Sequence, residues 1–190
     1  ILSFFSCKNL KNEDNDYTKE IEVIRFEKLF FEYDFDSISS LKKKFPYLFP
    51  KQFSTNEWMS IYKDTLRRDI FNKSNQVFKN FNPYKIEISK NIKEIQHEFG
   101  DFYIPKIITI NNGIDYNYNI VKSDSLLLVS TDCYLGDNIH YKSIPNYISM
   151  KMNVDYFVKD ITESFLLDFI KYPVDLSLIH ISEPTRLDGI

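Results

Sequence analysis

Residues 124–136 read DSLLLVSTDCYLG, and four consecutive apolar residues occupy positions 126–129. An apolar run of this length, bounded by turn-forming residues, is typical of a buried β-strand. The chain should leave this strand at its carboxyl end, where Asp132 and Tyr134 follow. The segment therefore predicts a sheet with at least one strand in its core.

Three further segments predict strands on either side of this one along the chain. Residues 106–110 form a second short apolar run, whereas residues 21–26 and 116–120 alternate apolar and polar side chains. The strand over 116–120 follows Asn112-Gly113, which is a turn signal.

Apolar residues at helical spacing separate the predicted strands. The sequence STNE at residues 54–57 is a capping box that opens a helix. Asn82-Pro83 predicts a cap with proline at the first helical position, and Gly100 ends that helix. An amphipathic helical pattern begins again at residue 153, and a short helix is expected over 36–44. These elements predict an α+β fold in which helices pack on a small mixed or antiparallel sheet.

Composition restricts the classes of function. The formal net charge is −3, which does not favour nucleic acid or an anionic lipid surface as a partner. Only four glycines occur, which argues against a glycine-rich phosphate-binding loop. No apolar stretch approaches the roughly 18–20 residues that a membrane-spanning helix needs. Apolar residues make up 43% of the chain, enough to bury a core.

The first seven residues, ILSFFSC, resemble the end of a secretory signal peptide that runs into a cysteine. Residues 1–6 would be the end of the signal peptide, and Cys7 would be lipidated. Residues 8–20 are mostly Lys, Asn, Asp and Glu, a composition typical of a solvated tether. We therefore expect a membrane attachment through Cys7. The alternative is a buried hydrophobic strand that ends at an ordinary cysteine.

The last fifteen residues, 176–190, have a different origin in our interpretation. Residues 176–186 read LSLIHISEPTR, which matches one translated frame of a common transposase-type sequencing adapter. Genuine coding sequence would then stop at about Asp175, inside a domain that starts near residue 21 and is incomplete. The alternative is a natural amphipathic tail.

Several segments resemble the gliding-motility lipoprotein family GldB. They are RFEKLFFE at 25–32, KFPYLFP at 44–50, LRRDIF at 66–71 and, most closely, DSLLLVSTDCYLG at 124–136. The order and spacing of these segments carry the resemblance, which extends over residues 21–175.

This resemblance implies a lipoprotein of the cell envelope of Bacteroidota-type bacteria. Such a protein would support gliding motility and the associated type IX secretion through contacts with envelope proteins, with no cofactor and no nucleic acid. Thr131 and Cys133 depart from the family's usual apolar residues at these positions.

The family also looks distantly like zincin metalloproteases, which implies an alternative function. The chain would then be the N-terminal part of a lipid-anchored zinc protease, and the helix carrying the His-Glu-x-x-His motif would be missing. In that fold the strand over 125–131 corresponds to a sheet edge that pairs with extended peptides. Ser125, Leu127, Val129 and Thr131 would then form a partner-binding edge. The competing interpretation is an interior strand with neighbours on both sides.

Two other clusters could carry chemistry, but neither predicts an active site. His97-Glu98 resembles the start of a zinc motif, yet Asp101 stands where the second His belongs, and His97 should point into solvent. Cys133 and His140 lie seven residues apart, and an inert buried thiol is the preferred interpretation of Cys133.

Acidic and aromatic residues offer two further possibilities. Asp115, Asp132 and Asp137 could form an acidic cluster, although carboxylates near turns are usually turn residues. Aromatic residues at 26–49 are expected mainly in the core, and an exposed subset could form a docking patch. The sequence assigns no catalytic residue, no metal ligand and no cofactor, so an enzymatic activity of this chain is not expected.

Overall fold

The computed structural model describes residues 21–34 and 38–170. Cys7, the tether over 8–20 and the segment 176–190 lie outside the described residues. The predictions made for them are therefore not addressed by the fold.

The described chain contains seven α-helices and four β-strands. The helices are α1 (Phe26–Phe31), α2 (Ile38–Lys44), α3 (Thr55–Lys63), α4 (Thr65–Val77), α5 (Asn82–Phe99), α6 (Asn146–Ser149) and α7 (Val154–Leu166). The strands are β1 (Val23–Arg25), β2 (Lys106–Ile110), β3 (Ile120–Lys122) and β4 (Leu126–Ser130). The predicted α+β fold with a small mixed sheet is confirmed.

The four strands form one sheet in the order β1-β2-β4-β3. β1, β2 and β4 are parallel, with Ile24 opposite Ile108 and Ile108 opposite Leu128. β3 runs antiparallel to β4, with Val121 opposite Leu128. The carboxyl ends of the three parallel strands therefore meet at one edge of the sheet, a place where open α/β sheets commonly bind ligands.

β4 lies inside the sheet, and the edge-strand prediction is wrong. β2 pairs with β4 on one side and β3 pairs with it on the other. Leu127 and Val129 are fully buried. The physical reason is that residues 120–122 fold back as a hairpin strand and use the backbone groups that an edge would leave free. The outer strands are β1 and β3.

One face of the sheet packs against α5 and α7. Ile107, Leu127 and Val129 point to this side, because side chains alternate across a strand. They meet Ile88 and Ile92 of α5 and three residues of α7. The α7 residues are Phe157, Ile161 and Phe165, which recur at the helical spacing expected of a buried stripe.

The other face packs against the helices near the amino terminus. Ile108 contacts an aromatic cluster that is almost fully buried. Its members are Phe26, Phe30, Phe31, Phe45, Phe49 and Phe71. Edge-to-face pairs dominate this cluster, as in the 5.6 Å contact between the rings of Phe26 and Phe45. The sheet thus separates two apolar cores.

Local sequence signals explain several helix ends. Ser54 accepts a hydrogen bond from the Glu57 amide, and the Glu57 carboxylate accepts one from the Ser54 amide, as the capping box predicts. The start of α5 differs by one residue: Phe81 is its cap, and Asn82-Pro83 form the first turn. Proline suits this turn because it lacks an N–H.

The predicted strand over 116–120 is also wrong in part. Tyr116–Tyr118 forms a 3-10 turn, and the strand begins only at Ile120. Asp115 caps this turn by accepting a hydrogen bond from the Asn117 amide. Alternation of tyrosine and asparagine is compatible with either conformation, and the Asp115 cap decides between them.

Candidate functional site

The carboxyl edge of the parallel strands is organised by a buried carboxylate, Asp132. Its Oδ2 accepts hydrogen bonds from the amides of Gly113 and Ile114, both at 2.8 Å. Its Oδ1 accepts a longer one, at 3.3 Å, from the amide of Asn112. The second residue after β4 therefore holds the loop that follows β2.

Burial and hydrogen bonding act in opposite directions on Asp132. Removal from water favours the neutral acid, whereas the three backbone N–H groups favour the carboxylate. Burial is the larger effect and raises the pKa of Asp132 to about 6.

The loop held by Asp132 is conformationally strained. Gly113 has φ +84°, and Ile114 also lies in the left-handed region with φ +64°. A β-branched residue is rarely found there, because its side chain crowds the backbone. The hydrogen bond from the Ile114 amide to Asp132 helps to hold this conformation.

Thr131 connects the same edge to α4. Its hydroxyl accepts a hydrogen bond from Ser74 at 2.8 Å and donates to Asn111 Oδ1 at 2.8 Å. Both Ser74 and Thr131 are fully buried. This pairing accounts for a hydroxyl at position 131, where an apolar residue would leave Ser74 unpaired.

A second buried carboxylate, Glu27, lies just after β1. It accepts hydrogen bonds from Arg25 Nε at 2.6 Å and from Thr109 Oγ1 at 2.7 Å. Arg25 also donates to the carbonyl of Phe78 at 2.8 Å, and its guanidinium lies over the ring of Phe81. The negative charge of Glu27 is thus matched by Arg25 inside the fold.

A cavity of about 330 Å³ opens beside these residues. Phe26 and Glu27 after β1 and Asn111 and Asn112 after β2 line it. Helices α3 and α4 close it from the other side with Trp58 and Arg67, among others. Aromatic rings and a few polar groups therefore enclose a space of the size that small-molecule sites occupy.

The family profile described as gliding motility protein GldB matches residues 7–180. The chain belongs to the GldB family. The match ends within the segment 176–190 that the sequence analysis attributes to adapter. Neither the curated proteins nor the solved structures contain a significant match to this chain.

GldB membership makes the chain one of a family of gliding-motility lipoproteins of the cell envelope. Within residues 21–34 and 38–170, none of the helices has the length and hydrophobicity of a membrane-spanning segment.

In this GldB chain, most of the candidate residues predicted from the sequence do not pair with one another. His140 contacts Asp69 at 2.9 Å, whereas the Cys133 sulfur faces Asn112, so the two do not form a pair. Burial raises the pKa of the Cys133 thiol, which does not favour a nucleophilic role. His97 is exposed, as predicted, and its Nδ1 lies 3.1 Å from the carboxylate of the neighbouring Glu98.

The acidic candidates do not converge in this GldB chain either. Asp132 is buried, Asp115 caps the Tyr116–Tyr118 turn, and Asp137 is exposed. Among the described residues no group of three potential ligands could hold a metal ion.

Sequence reasoning missed Glu27 and Arg25. The available signal was the opposite charges of Arg25 and Glu27 on either side of Phe26, at the end of the strand predicted over 21–26 and beside the aromatic segment near the amino terminus. A charge in that setting is buried only when a partner neutralises it.

Proposed function

We propose that this chain is a lipid-anchored protein of the cell envelope that supports gliding motility, and the associated type IX secretion, through contacts with other envelope proteins. Membership of the GldB family is the observation that carries the proposal. Arrangement of the first twenty residues supports the anchor, since an apolar run and Ser6 precede Cys7 and a polar tether follows it.

Labelling with a fatty acid tests the anchor. The full gene, expressed in its host with a clickable fatty acid, should yield a labelled protein, and Cys7→Ser should remove the label. Cys133→Ala is the matched control, because that buried thiol should not be acylated and its loss should leave the label in place. Label retained by Cys7→Ser would contradict the proposal.

Exposed apolar side chains support protein contacts as the mode of action. Ile139, Tyr147 and Met150 are 62%, 73% and 71% exposed, and they lie within one stretch around α6. Scattered exposed apolar residues are common, but tyrosine and methionine are enriched where proteins meet. We infer that this stretch, the α6 surface, contacts an envelope partner.

Complementation of a gliding-deficient deletion strain tests the α6 surface. Tyr147→Ser combined with Met150→Ser should slow gliding and reduce the secreted cargo in the medium. Protein level and acylation should stay normal. Tyr103→Ser is the control, because Tyr103 is also 71% exposed but is distant in sequence from α6. This variant should restore both activities. Full complementation by the double variant would contradict the assignment.

A further inference from the structure

We propose that the 330 Å³ cavity at the carboxyl ends of β1 and β2 is a binding site for a small apolar group that carries a carboxylate, either a free acid or the carboxyl terminus of a peptide. This activity is independent of the lipid anchor and of the α6 surface.

The walls of the cavity favour an apolar body. Phe26, Phe30, Phe31, Tyr47 and Trp58 contribute aromatic rings. Concave sites of roughly 300–1,000 Å³ with mainly apolar walls and a few fixed polar groups are the usual form of small-molecule pockets.

Two side chains in the lining have buried N–H groups that lack a hydrogen-bond acceptor. They are the indole Nε1 of Trp58 and the amide Nδ2 of Asn111, with no partner anywhere in the described part of the chain. The Asn111 Oδ1 is already occupied by the Thr131 hydroxyl, which leaves its Nδ2 as the free group. Buried polar groups without partners are rare in folded proteins, and these two N–H groups are the candidates for contact with an acceptor on a ligand.

Arg67 supplies the charge. Arg67 is half-buried, and its guanidinium packs against Gly113, close enough that a Cβ at Gly113 would lie 3.2 Å from Nη1. Within the described ranges no carboxylate pairs with it. Glu27, the other charged residue of the lining, is matched by Arg25. Of the two charged residues in the lining, Arg67 is therefore the one without a charged partner, and guanidinium geometry suits a carboxylate.

Fluorescence gives a direct readout, because Trp58 is the single tryptophan of the chain and it lines the cavity. The purified chain would be titrated with 3-phenylpropanoate, with its neutral counterpart 3-phenylpropanamide, and with an N-acetylated tripeptide ending in phenylalanine. The carboxylate should change Trp58 emission in a saturable manner, and the amide should bind at least about tenfold more weakly, since an ion-paired hydrogen bond is lost.

Three variants test whether the change in Trp58 fluorescence comes from binding in the cavity. Arg67→Met should lower the affinity for 3-phenylpropanoate by about tenfold or more and leave the affinity for the amide unchanged. Lys63→Met is the control, because it removes an exposed charge at the end of α3 that does not line the cavity. This variant should bind both probes as the parent does. Ile61→Phe should fill the space and abolish binding of both probes, with circular dichroism confirming the fold.

The two sources of a carboxylate are separated by the probes. Tighter binding of the free acid assigns a metabolite-like ligand, whereas tighter binding of the tripeptide assigns the carboxyl terminus of a protein or peptide. Absence of any saturable change with either carboxylate would overturn the proposal. So would equal affinities for acid and amide, or an unchanged affinity in Arg67→Met.

Discussion

Asp132 shows how one residue can hold two distant parts of the chain together. Its carboxylate accepts hydrogen bonds from three successive amides about twenty residues earlier in the sequence. Tyr141 donates to its carbonyl at 2.5 Å, so the backbone of Asp132 is held as well as its side chain. Loss of the carboxylate should therefore release the strained loop at Gly113 and Ile114.

Asp132→Asn should lower the free energy of unfolding by about 1–3 kcal/mol at neutral pH. Asparagine offers one acceptor oxygen in place of two and turns its amide hydrogens towards backbone N–H groups. Urea denaturation would measure the loss, with Asp137→Asn, at an exposed carboxylate, as the control expected to change little. Equal stabilities of the two variants would contradict the role of Asp132.

The pH dependence of stability should also report on Asp132. Its folded-state pKa of about 6 lies above the ordinary value of 3.8, so the folded protein holds this proton more tightly than the unfolded chain does. The resulting stabilisation is fully present below pH 3.8 and is lost as pH rises through about 6. The urea midpoint should therefore change with pH differently in the parent and in Asp132→Asn between pH 4 and pH 7. If the two midpoints change in parallel, Asp132 does not titrate in this range.

Among the elements, α3 depends most clearly on a local signal. Ser54→Ala removes the side-chain acceptor for the Glu57 amide and should lower the free energy of unfolding by about 1 kcal/mol. Ser60→Ala, within the same helix, removes only a hydroxyl bonded to the preceding turn and is the control. Thermal denaturation would separate the two, and an equal shift in both would show that the cap contributes nothing.

The central position of β4 makes a second prediction for an element. Leu127→Ala should cost about 2–5 kcal/mol of stability, because a fully buried side chain leaves a cavity between the sheet and α5. Val121→Ala, on the outer strand β3 and 42% exposed, should cost well under half as much. If both substitutions destabilised the protein equally, the assignment of β4 to the interior and β3 to the edge would be in error.

In the whole molecule, two apolar cores share one thin sheet. Ile107 belongs to one core and its neighbour Ile108 to the other, so neither core can open without disturbing β2. Unfolding should therefore be a single cooperative transition. Trp58 reports on one core, and Phe157→Ala creates a cavity in the other.

Phe157→Ala should consequently lower the denaturation midpoint seen by Trp58 fluorescence as much as the midpoint seen by circular dichroism. The expected loss of stability is about 3–5 kcal/mol. A fluorescence midpoint that stays at its parental value while the circular dichroism midpoint falls would indicate two independently folding halves.

The origin of residues 176–190 is a prediction about the whole chain. Because LSLIHISEPTR matches an adapter frame, amplification and independent sequencing of the genomic locus should give a different continuation after Asp175. Recovery of the same codons for 176–190 from the genome would contradict the adapter interpretation. The continuation would also answer whether a His-Glu-x-x-His helix follows.

Local patterns determined the elements and the class of the fold. The apolar runs at 106–110 and 126–129 predicted two strands correctly, and the STNE segment at 54–57 predicted the start of α3, because a strand's side-chain period and a capping box are properties of a few consecutive residues. Family resemblance along the chain also came from sequence alone, and the profile match confirms it.

Only the tertiary structure decided where each element sits and which polar residues meet. β1 and β2 pair across more than eighty positions, as Ile24 and Ile108 do, and no local pattern encodes such a pairing. The position of β4 in the sheet is not encoded locally either, because its run of leucines suits an interior strand as well as an edge strand that helices cover. Burial of Asp132 and Glu27, and the cavity between α3 and the sheet, arise because segments far apart in sequence exclude water together. Sequence determines which residues can be buried, and long-range packing determines which of them are.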